Sequence, residues 1–288
     1  MDNSKTEIDT QAAENILRSI QIPPCPGVVV ALMEEVRKPE VEFPKLVKLI
    51  SGDVSLAASM LKTANSPFFA LRSKVTSVQQ AVSVLGLKNI IQIVTGLALR
   101  KTLGGDGISM ERFWDRSNFT AVVASHMAVR LHGVSREDAY THGLFHDCGI
   151  PILMQKFPDY KDKLAAANNA AELVIAVEDE NYATNHAVVG NILARNWFLP
   201  SHISEAILLH HDLGIFSTGH VEPQVCTLVA ITLIAEHIVA SFLGMPDDAE
   251  WHAGGRKALD YLGLNGEDLA DITEDALAEL EEIRAYRG

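Results

Sequence analysis

The stretch FPKLVKLISGDVSLAASMLKTANSP (43–67) decides the fold class of this chain. Apolar residues recur three and four positions apart on both sides of SGD (51–53), which is the period of one face of an α-helix. Asn65 suits a helix end and Pro67 cannot continue a helix, so two short amphipathic helices are predicted here. The same period dominates the rest of the chain, and no run of period-two alternation is convincing. The sequence therefore predicts an all-α protein.

The glycine cluster GGDG (104–107) is the best candidate for a boundary between two helical lobes. Apolar residues in DITEDALAELEEIRAYRG (271–288) form one helical stripe, which usually packs on its own bundle, although a dimer contact or a docking helix is an alternative. We predict an N-terminal tail, an N-terminal helical lobe, a second helical lobe and an acidic C-terminal helical extension, at residues 1–17, 18–104, 105–245 and 246–288.

The charge of the chain is uneven along its length. The net charge of −13 divides into about +3 for residues 1–105, −8 for residues 106–245 and −8 for residues 246–288. Acidic surfaces repel phosphate backbones, so we expect no direct nucleic-acid partner. A protein partner is the expected alternative.

Other features of the sequence favour a cytoplasmic protein without a membrane partner. The most apolar run, VCTLVAITLIA (225–235), is too short to span a bilayer. The first residues, MDNSKTEIDT (1–10), lack the basic start and apolar core of a secretory signal. The three cysteines are an odd number and widely spaced, which predicts reduced core residues, with no disulfide framework.

Histidine placement carries the strongest chemical signal. The stretch GLFHDCGIP (143–151) holds a His-Asp doublet in an apolar segment, and a single His and a His-His doublet lie on two later predicted helices. The residues are His146, Asp147, His186, His210 and His211. Such groups can converge in the centre of a helical bundle, where imidazole and carboxylate together suit iron, manganese, zinc or magnesium. A single buried histidine is more often a core residue, but burying all these polar groups is costly unless something pairs them.

The chain resembles the HD-related output domain (HDOD) family, a relative of the HD-type metal-dependent phosphohydrolases, over roughly residues 18–245. The motifs behind this resemblance are IPPCPGVVVALMEEV (22–36), LVKLISGDVSLAASMLKTANSPFF (46–69), VTSVQQAVSVLGLKNIIQIVTGLALR (75–100), FWDRSNFTAVVAS (113–125), GLFHDCG (143–149), NHAVVGNILARNWFLPSHISEAILLHH (185–211) and AEHIVASFLG (235–244). The resemblance implies a two-lobed helical module, common in bacteria and usually a signalling output, whose second lobe is a degenerate HD-like bundle.

The resemblance also implies metal ligands at His146, Asp147, His186, His210 and His211. Other positions depart from the pattern of the HD-type relatives. Arg116 stands where they have their first histidine ligand, and a guanidinium stays protonated and cannot coordinate metal. Glu236 stands in place of a late aspartate, and Ile150 replaces a lysine that commonly neutralises substrate phosphate in active relatives. We expect an Arg116–Asp147 ion pair to take over the role of the lost metal.

Three hypotheses for function follow. The leading one is a non-catalytic bacterial signal-transduction module that acts through protein–protein contacts. Its candidate partner surface, for which ordinary core packing is the favoured alternative, is Asp53, Asn65, Ser66, Phe68 and Phe69. The second is a metal-dependent phosphohydrolase or phosphodiesterase that acts on a nucleotide or cyclic dinucleotide through Asp147. The third is a single structural or sensing metal ion, without catalysis, held by His146, His186, His210 and Glu236.

Overall fold

A computed structural model of the chain describes residues 16–104, 110–131, 133–170, 172–245 and 249–287. Within these residues the regular structure is helical and no strand occurs, so the predicted all-α class is confirmed. In chain order the α-helices are α1 (Gly27–Val36), α2 (Phe43–Ser51), α3 (Val54–Ala64), α4 (Val78–Leu103), α5 (Glu111–Arg130), α6 (Arg136–Phe145), α7 (Gly149–Lys156), α8 (Tyr160–Ala170), α9 (Val174–Tyr182), α10 (His186–Asn196), α11 (Ser201–Leu209), α12 (Ile215–Thr218), α13 (Pro223–Phe242), α14 (Ala249–Leu262) and α15 (Gly266–Arg287). A short 3-10 helix, Pro67–Phe69, follows α3.

The described chain divides into two compact units, each with its own core. The large unit contains residues 16–23 and Glu111–Leu269, and the small unit contains residues 24–104, Met110 and residues 270–287. Of the predicted lobe boundary GGDG, residues 105–107 lie outside the described residues, and the division into units falls between Met110 and Glu111. The predicted C-terminal extension, 246–288, is divided between the two units at Leu269.

Helix α13 forms the centre of the large unit. It contains the apolar run 225–235 and is buried on nearly all sides, where it packs against α5, α6, α11 and α14. Pro223 occupies its first turn, where a helix leaves backbone N–H groups unpaired and proline costs nothing. By length and composition both α4 and α13 could cross a membrane, but core helices pass the same test, and 83% of the most apolar window of α13 is buried. A helix that is apolar all round is expected at the centre of a bundle.

Two glycines bring neighbouring helices close to the His146–Asp147 doublet. A Cβ atom on Gly143 would lie 2.9 Å from the Cα atom of Ala121 in α5. A Cβ atom on Gly149 would lie 2.1 Å from the carbonyl oxygen of His186, the first residue of α10. Because no other residue type fits these contacts without displacing backbone, the motif GLFHDCG (143–149) sets the positions of both α5 and α10.

In the small unit, the side chain of Asn65 links the last turn of α3 to the residues just before α4 by hydrogen bonds. Its Nδ2 donates to the carbonyl oxygens of Leu61 and Val75, each at 2.8 Å, and its Oδ1 accepts from the backbone N–H of Val75 at 2.8 Å. Asp53 caps α3 by accepting from the backbone N–H of Leu56 at 3.0 Å, and it forms an ion pair with Lys101 at 2.8 Å.

These contacts bear on the predicted partner surface. Phe68 is buried, with 7% of its area exposed, whereas Ser66 and Phe69 are partly exposed. Asp53, Asn65 and Phe68 therefore have structural roles in the small unit. Asp53 and Asn65 nevertheless keep part of their surface exposed, as Ser66 and Phe69 do, and Phe68 is the buried member of the set.

We predict that Gly149→Ala destabilises the large unit by about 3 kcal/mol or more, because the new methyl group meets the backbone of α10 and not a flexible side chain. The measurement is the free energy of unfolding in urea. The matched control is Gly266→Ala, at the start of α15, where an added Cβ atom would have no described neighbour within 4 Å and the expected change is close to zero. Equal effects of the two substitutions would contradict the proposed close approach.

We predict that Asn65→Ala costs about 2 to 3 kcal/mol of small-unit stability, because hydrogen bonds worth about 1 kcal/mol each are lost. Amide hydrogen exchange at Val75, whose N–H bonds to Asn65, should accelerate most. Asn89→Ala is the control, since Asn89 donates a single described hydrogen bond, to Leu85 within α4. Unchanged exchange at Val75 would show that Asn65 is not structural.

Candidate metal centre

The structure brings the predicted site residues of the large unit together around Asp147. One group consists of Asp147, His186, His210 and His211, whose potential ligand atoms all lie within 4.8 Å of one another. A second group, defined by the same limit, consists of His146, Asp147 and Glu236. Asp147 belongs to both groups, so one carboxylate joins two halves of the cluster.

The turns and helix ends of the large unit place these side chains in the cluster. His146 and Asp147 occupy the turn between α6 and α7, where Cys148 N–H donates to the Phe145 carbonyl at 2.9 Å. Asn185 caps α10 by accepting from Val188 N–H at 2.9 Å, which makes His186 the first residue of that helix. His210 and His211 follow the last turn of α11, and Glu236 projects from the buried helix α13.

Each oxygen of Asp147 faces a different half of the cluster. Its Oδ1 lies 3.3 Å from His186 Nε2 and 3.7 Å from His210 Nε2, while its Oδ2 lies 3.2 Å from His146 Nε2. Burial by itself would raise the pKa of Asp147, but the charge of His146 and the hydrogen bonds from the histidines outweigh it and hold the pKa well below its usual value. Asp147 is therefore an ionised bridging carboxylate.

Buried acceptors orient the imidazoles of the first group. His186 Nδ1 lies 2.6 Å from Glu178 Oε2, which also accepts the His186 backbone N–H at 3.0 Å, and His210 Nδ1 lies 2.6 Å from the Ile207 carbonyl oxygen. A carbonyl or carboxylate oxygen only accepts, so both rings donate from Nδ1. Their Nε2 atoms then point into the cluster, the orientation that outer-shell partners impose on metal-ligating histidines.

His211 is held by a further carboxyl group. Its Nδ1 shares a hydrogen bond with Glu250, so its Nε2 is the nitrogen that faces His186 Nε2, at 2.7 Å. Burial lowers the pKa of His211 to about 3 and that of His210 to about 4, and it raises the pKa of Glu250 to about 7. His210 and His211 are thus neutral near pH 7, which is the form that binds metal.

The distances between the imidazole nitrogens of the first group indicate whether one metal ion could bind all of them. His186 Nε2 lies 2.7 Å from His211 Nε2 and 3.3 Å from His210 Nε2, so three imidazole nitrogens converge beside the charged Asp147. A single proton can form a hydrogen bond between only two of these nitrogens. One divalent cation could instead bind all three nitrogens and the carboxylate oxygen. Three imidazoles and one carboxylate suit zinc, iron or manganese. The residues of the first group fit a bound metal ion.

The second group already contains a positive charge. Arg116 Nη2 lies 2.6 Å from Glu236 Oε1, and His146 Nε2 lies 3.1 Å from the same oxygen. Burial would raise the pKa of Glu236, but His146 and Arg116 hold it at about 2, and Asp147 and Glu236 raise the pKa of His146 well above its usual value against its burial. Asp147 was the expected partner of Arg116, and the ion pair seen here is with Glu236. Two cationic and two anionic side chains therefore balance each other.

Part of the cluster lines a cleft of about 720 Å³ in the large unit. Asp147, His186 and His211 reach the cleft, and Ile150 lines it with an apolar side chain, as the sequence predicts for this position. Carboxylates outnumber guanidinium groups among its described lining residues. The charged lining residues are Asp115, Asp147, Glu172, Glu236, Glu250, Arg112 and Arg116.

Sequence reasoning missed Glu178 and Glu250. Glu178 lies in the acidic run VEDEN (177–181), where nothing distinguishes it from its exposed neighbours, yet it is 2% exposed and accepts hydrogen bonds from His186 and Tyr160. Glu250 lies on α14, far along the chain from His211. No local spacing marks either residue as part of the cluster.

The fold and the cluster define a class: an all-helical protein whose core gathers a His-Asp doublet, a His-His doublet and a further histidine in the manner of HD-type proteins. The HDOD domain family matches residues 22–213, which is more than half of the chain. The chain belongs to the HDOD domain family.

Known proteins share this fold. A crystal structure of a protein from Shewanella amazonensis, provisionally named a phosphohydrolase, is 21% identical with a TM-score of 0.73, covering 96% of this chain and 98% of that one. At this identity the likeness shows the fold alone. An uncharacterized protein of Treponema pallidum is 26% identical over 72% of this chain and 42% of its own length. The cyclic di-GMP phosphodiesterase CdgJ of Vibrio cholerae is 23% identical over 50% of this chain and 34% of its own. The chain thus spans less than half the length of these curated relatives.

We predict that Glu178→Gln weakens metal affinity about 10- to 100-fold, because the isosteric amide removes the charge that orients His186 and raises its basicity. Calorimetric titration with Zn²⁺ measures the dissociation constant. Glu180→Gln is the matched control on α9, since Glu180 is exposed, and its affinity should equal that of the wild type. Equal affinities of both variants would show that Glu178 has no role at the centre.

Proposed function

We propose that this chain is a regulatory module of bacterial signal transduction that acts through contacts with a partner protein. In this proposal the cluster of the large unit binds a metal ion as a structural or sensing element and does not hydrolyse a phosphoester. The observation that carries the proposal is the Arg116–Glu236 ion pair, with its 2.6 Å contact inside the second half of the cluster.

The electrostatics of the cleft support the absence of hydrolysis. Two-metal phosphoesterases place one cation on the attacking oxygen and another on the leaving oxygen. Here Arg116 and His146 are neutralised by Glu236 and Asp147, so this half of the cluster offers no free positive charge to a phosphate. Ile150 adds no cation, and the excess of carboxylates around the cleft repels an anionic substrate.

The small unit supports the protein contact. Val54 at the start of α3 is 81% exposed and Phe43 at the start of α2 is 49% exposed. The partly exposed Ser66 and Phe69 belong to the same stretch of sequence, 43–69. Exposed apolar side chains of this kind suit a protein partner, with a second copy of the chain as one candidate. Cys25, Cys148 and Cys226 are free thiols, which agrees with a cytoplasmic setting.

The ligand set of a retained metal ion differs from the predicted set at two places. Asp147 and His211 join His186 and His210 in the group that the geometry favours. His146 and Glu236 lie in the second group, where Glu236 forms an ion pair with Arg116.

A metal-dependent phosphohydrolase or phosphodiesterase is the second candidate. The cleft of about 720 Å³ favours it, because that volume can hold a nucleotide or cyclic dinucleotide and Asp147 is among its lining residues. The similarity to a cyclic di-GMP phosphodiesterase agrees with this alternative, although it covers only half of the chain.

We predict that the purified protein, loaded with Mn²⁺, Fe²⁺ or Zn²⁺, turns over neither cyclic di-GMP nor bis-p-nitrophenyl phosphate above the rate of its Asp147→Asn variant. The reason is that its second charge site is neutralised internally. Circular dichroism confirms that both proteins are folded. Metal-dependent turnover that Asp147→Asn abolishes would establish the hydrolase and overturn the proposal.

A further inference from the structure

We infer that the Arg116 guanidinium serves as a built-in second cation of the cluster, so that each chain takes up one divalent metal ion and not two. The inference rests on the metal-binding part of the proposed function and specifies how many ions bind and which residue sets that number. It concerns the second group, His146, Asp147 and Glu236, which by its donor atoms alone could hold an ion.

The carboxylate of Asp147 makes the two groups one electrostatic system. Its two oxygens serve opposite halves, with Oδ1 3.3 Å from His186 Nε2 and Oδ2 3.2 Å from His146 Nε2. A bridging carboxylate of this kind, with further ligands on each side, can serve two cations. The number of ions therefore depends on what else occupies each half.

Arg116 occupies the second half through its contact with Glu236. The side chain of Glu236 is 6% exposed, and its Oε1 accepts from Arg116 Nη2 at 2.6 Å while lying 3.1 Å from His146 Nε2. A buried carboxylate needs a positive partner, and the guanidinium supplies one permanently because it does not lose its proton. A metal ion bound to the same oxygen would lie within a few ångströms of that charge and be repelled.

Because Arg116 is partly exposed, a metal ion from solvent could reach this half of the cluster in a variant that lacks the guanidinium. The side chain of Arg116 is 29% exposed and lines the cleft, together with Asp147 and Glu236. Replacement of the guanidinium by an uncharged side chain leaves Glu236, Asp147 and His146 as three adjacent donors at the wall of an open cleft. Without the permanent positive charge of Arg116, we expect these three donors to bind a divalent ion.

The test counts metal ions in the full chain. Wild type, Arg116→Met and Arg116→Lys are incubated with Mn²⁺, desalted and analysed for metal per chain. We expect one ion in the wild type, two in Arg116→Met, and one in Arg116→Lys, which keeps the charge and is the matched control. Arg116→Met with Glu236→Gln should return to one ion, because the second group has lost its carboxylate. The Mn²⁺ electron paramagnetic resonance signal should show spin coupling only in Arg116→Met.

The outcomes separate this inference from the proposed function. Two ions in the wild type, or one in a folded Arg116→Met variant, overturns the inference. No ion in the wild type overturns it together with the metal-binding part of the proposed function. Phosphodiester turnover by a wild type that holds one ion overturns the proposed function and leaves the inference standing. Arg116→Gln, which keeps a donor for Glu236, replaces Arg116→Met if circular dichroism shows the latter to be unfolded, and two ions are again expected.

Discussion

The buried carboxylate of Asp147 is the constraint on which the large unit depends. An ionised carboxylate inside a helical bundle is costly unless cations and hydrogen-bond donors surround it. His146 and His186 supply such partners from two separate parts of the chain, with Nε2 atoms 3.2 and 3.3 Å from its oxygens. The glycines on both sides of the doublet follow from the same requirement. Gly143 lets α6 approach α5, and Gly149 lets α7 meet the first residue of α10.

The two halves of the cluster differ in the hydrogen-bond partners and charges that surround them. On one side, Glu178, the Ile207 carbonyl and Glu250 orient three imidazoles toward a common point, where a metal ion could bind. On the other side, the chain provides its own cation, Arg116, and pairs it with Glu236. The donor atoms on the first side could hold a metal ion, whereas the second side already contains a permanent positive charge within the described structure.

Sequence patterns predicted the helical class correctly because helical periodicity and punctuation are local properties of the chain. The same is true of the HD and HH doublets, whose residues arrive in the cluster as neighbours in sequence, and of Arg116, whose permanent charge is a property of the residue type. The expected partner of Arg116 was Asp147, whereas the observed ion pair joins it to Glu236, 120 positions later. That choice depends on how α5 packs against α13, and no local pattern encodes it.

By itself, the sequence determined the all-α class, the family and most of the candidate ligands, because each depends on residue type and short-range spacing. Only the tertiary structure decided which carboxylates stand behind the histidines, how Asp147 divides the cluster, and which half carries the guanidinium. Glu178 and Glu250 resemble any exposed acidic residue in the sequence, and burial beside His186 and His211 gives them their role. The physical reason is that hydrogen bonds and ion pairs are set by distance in space, and in this fold the decisive distances join elements far apart along the chain.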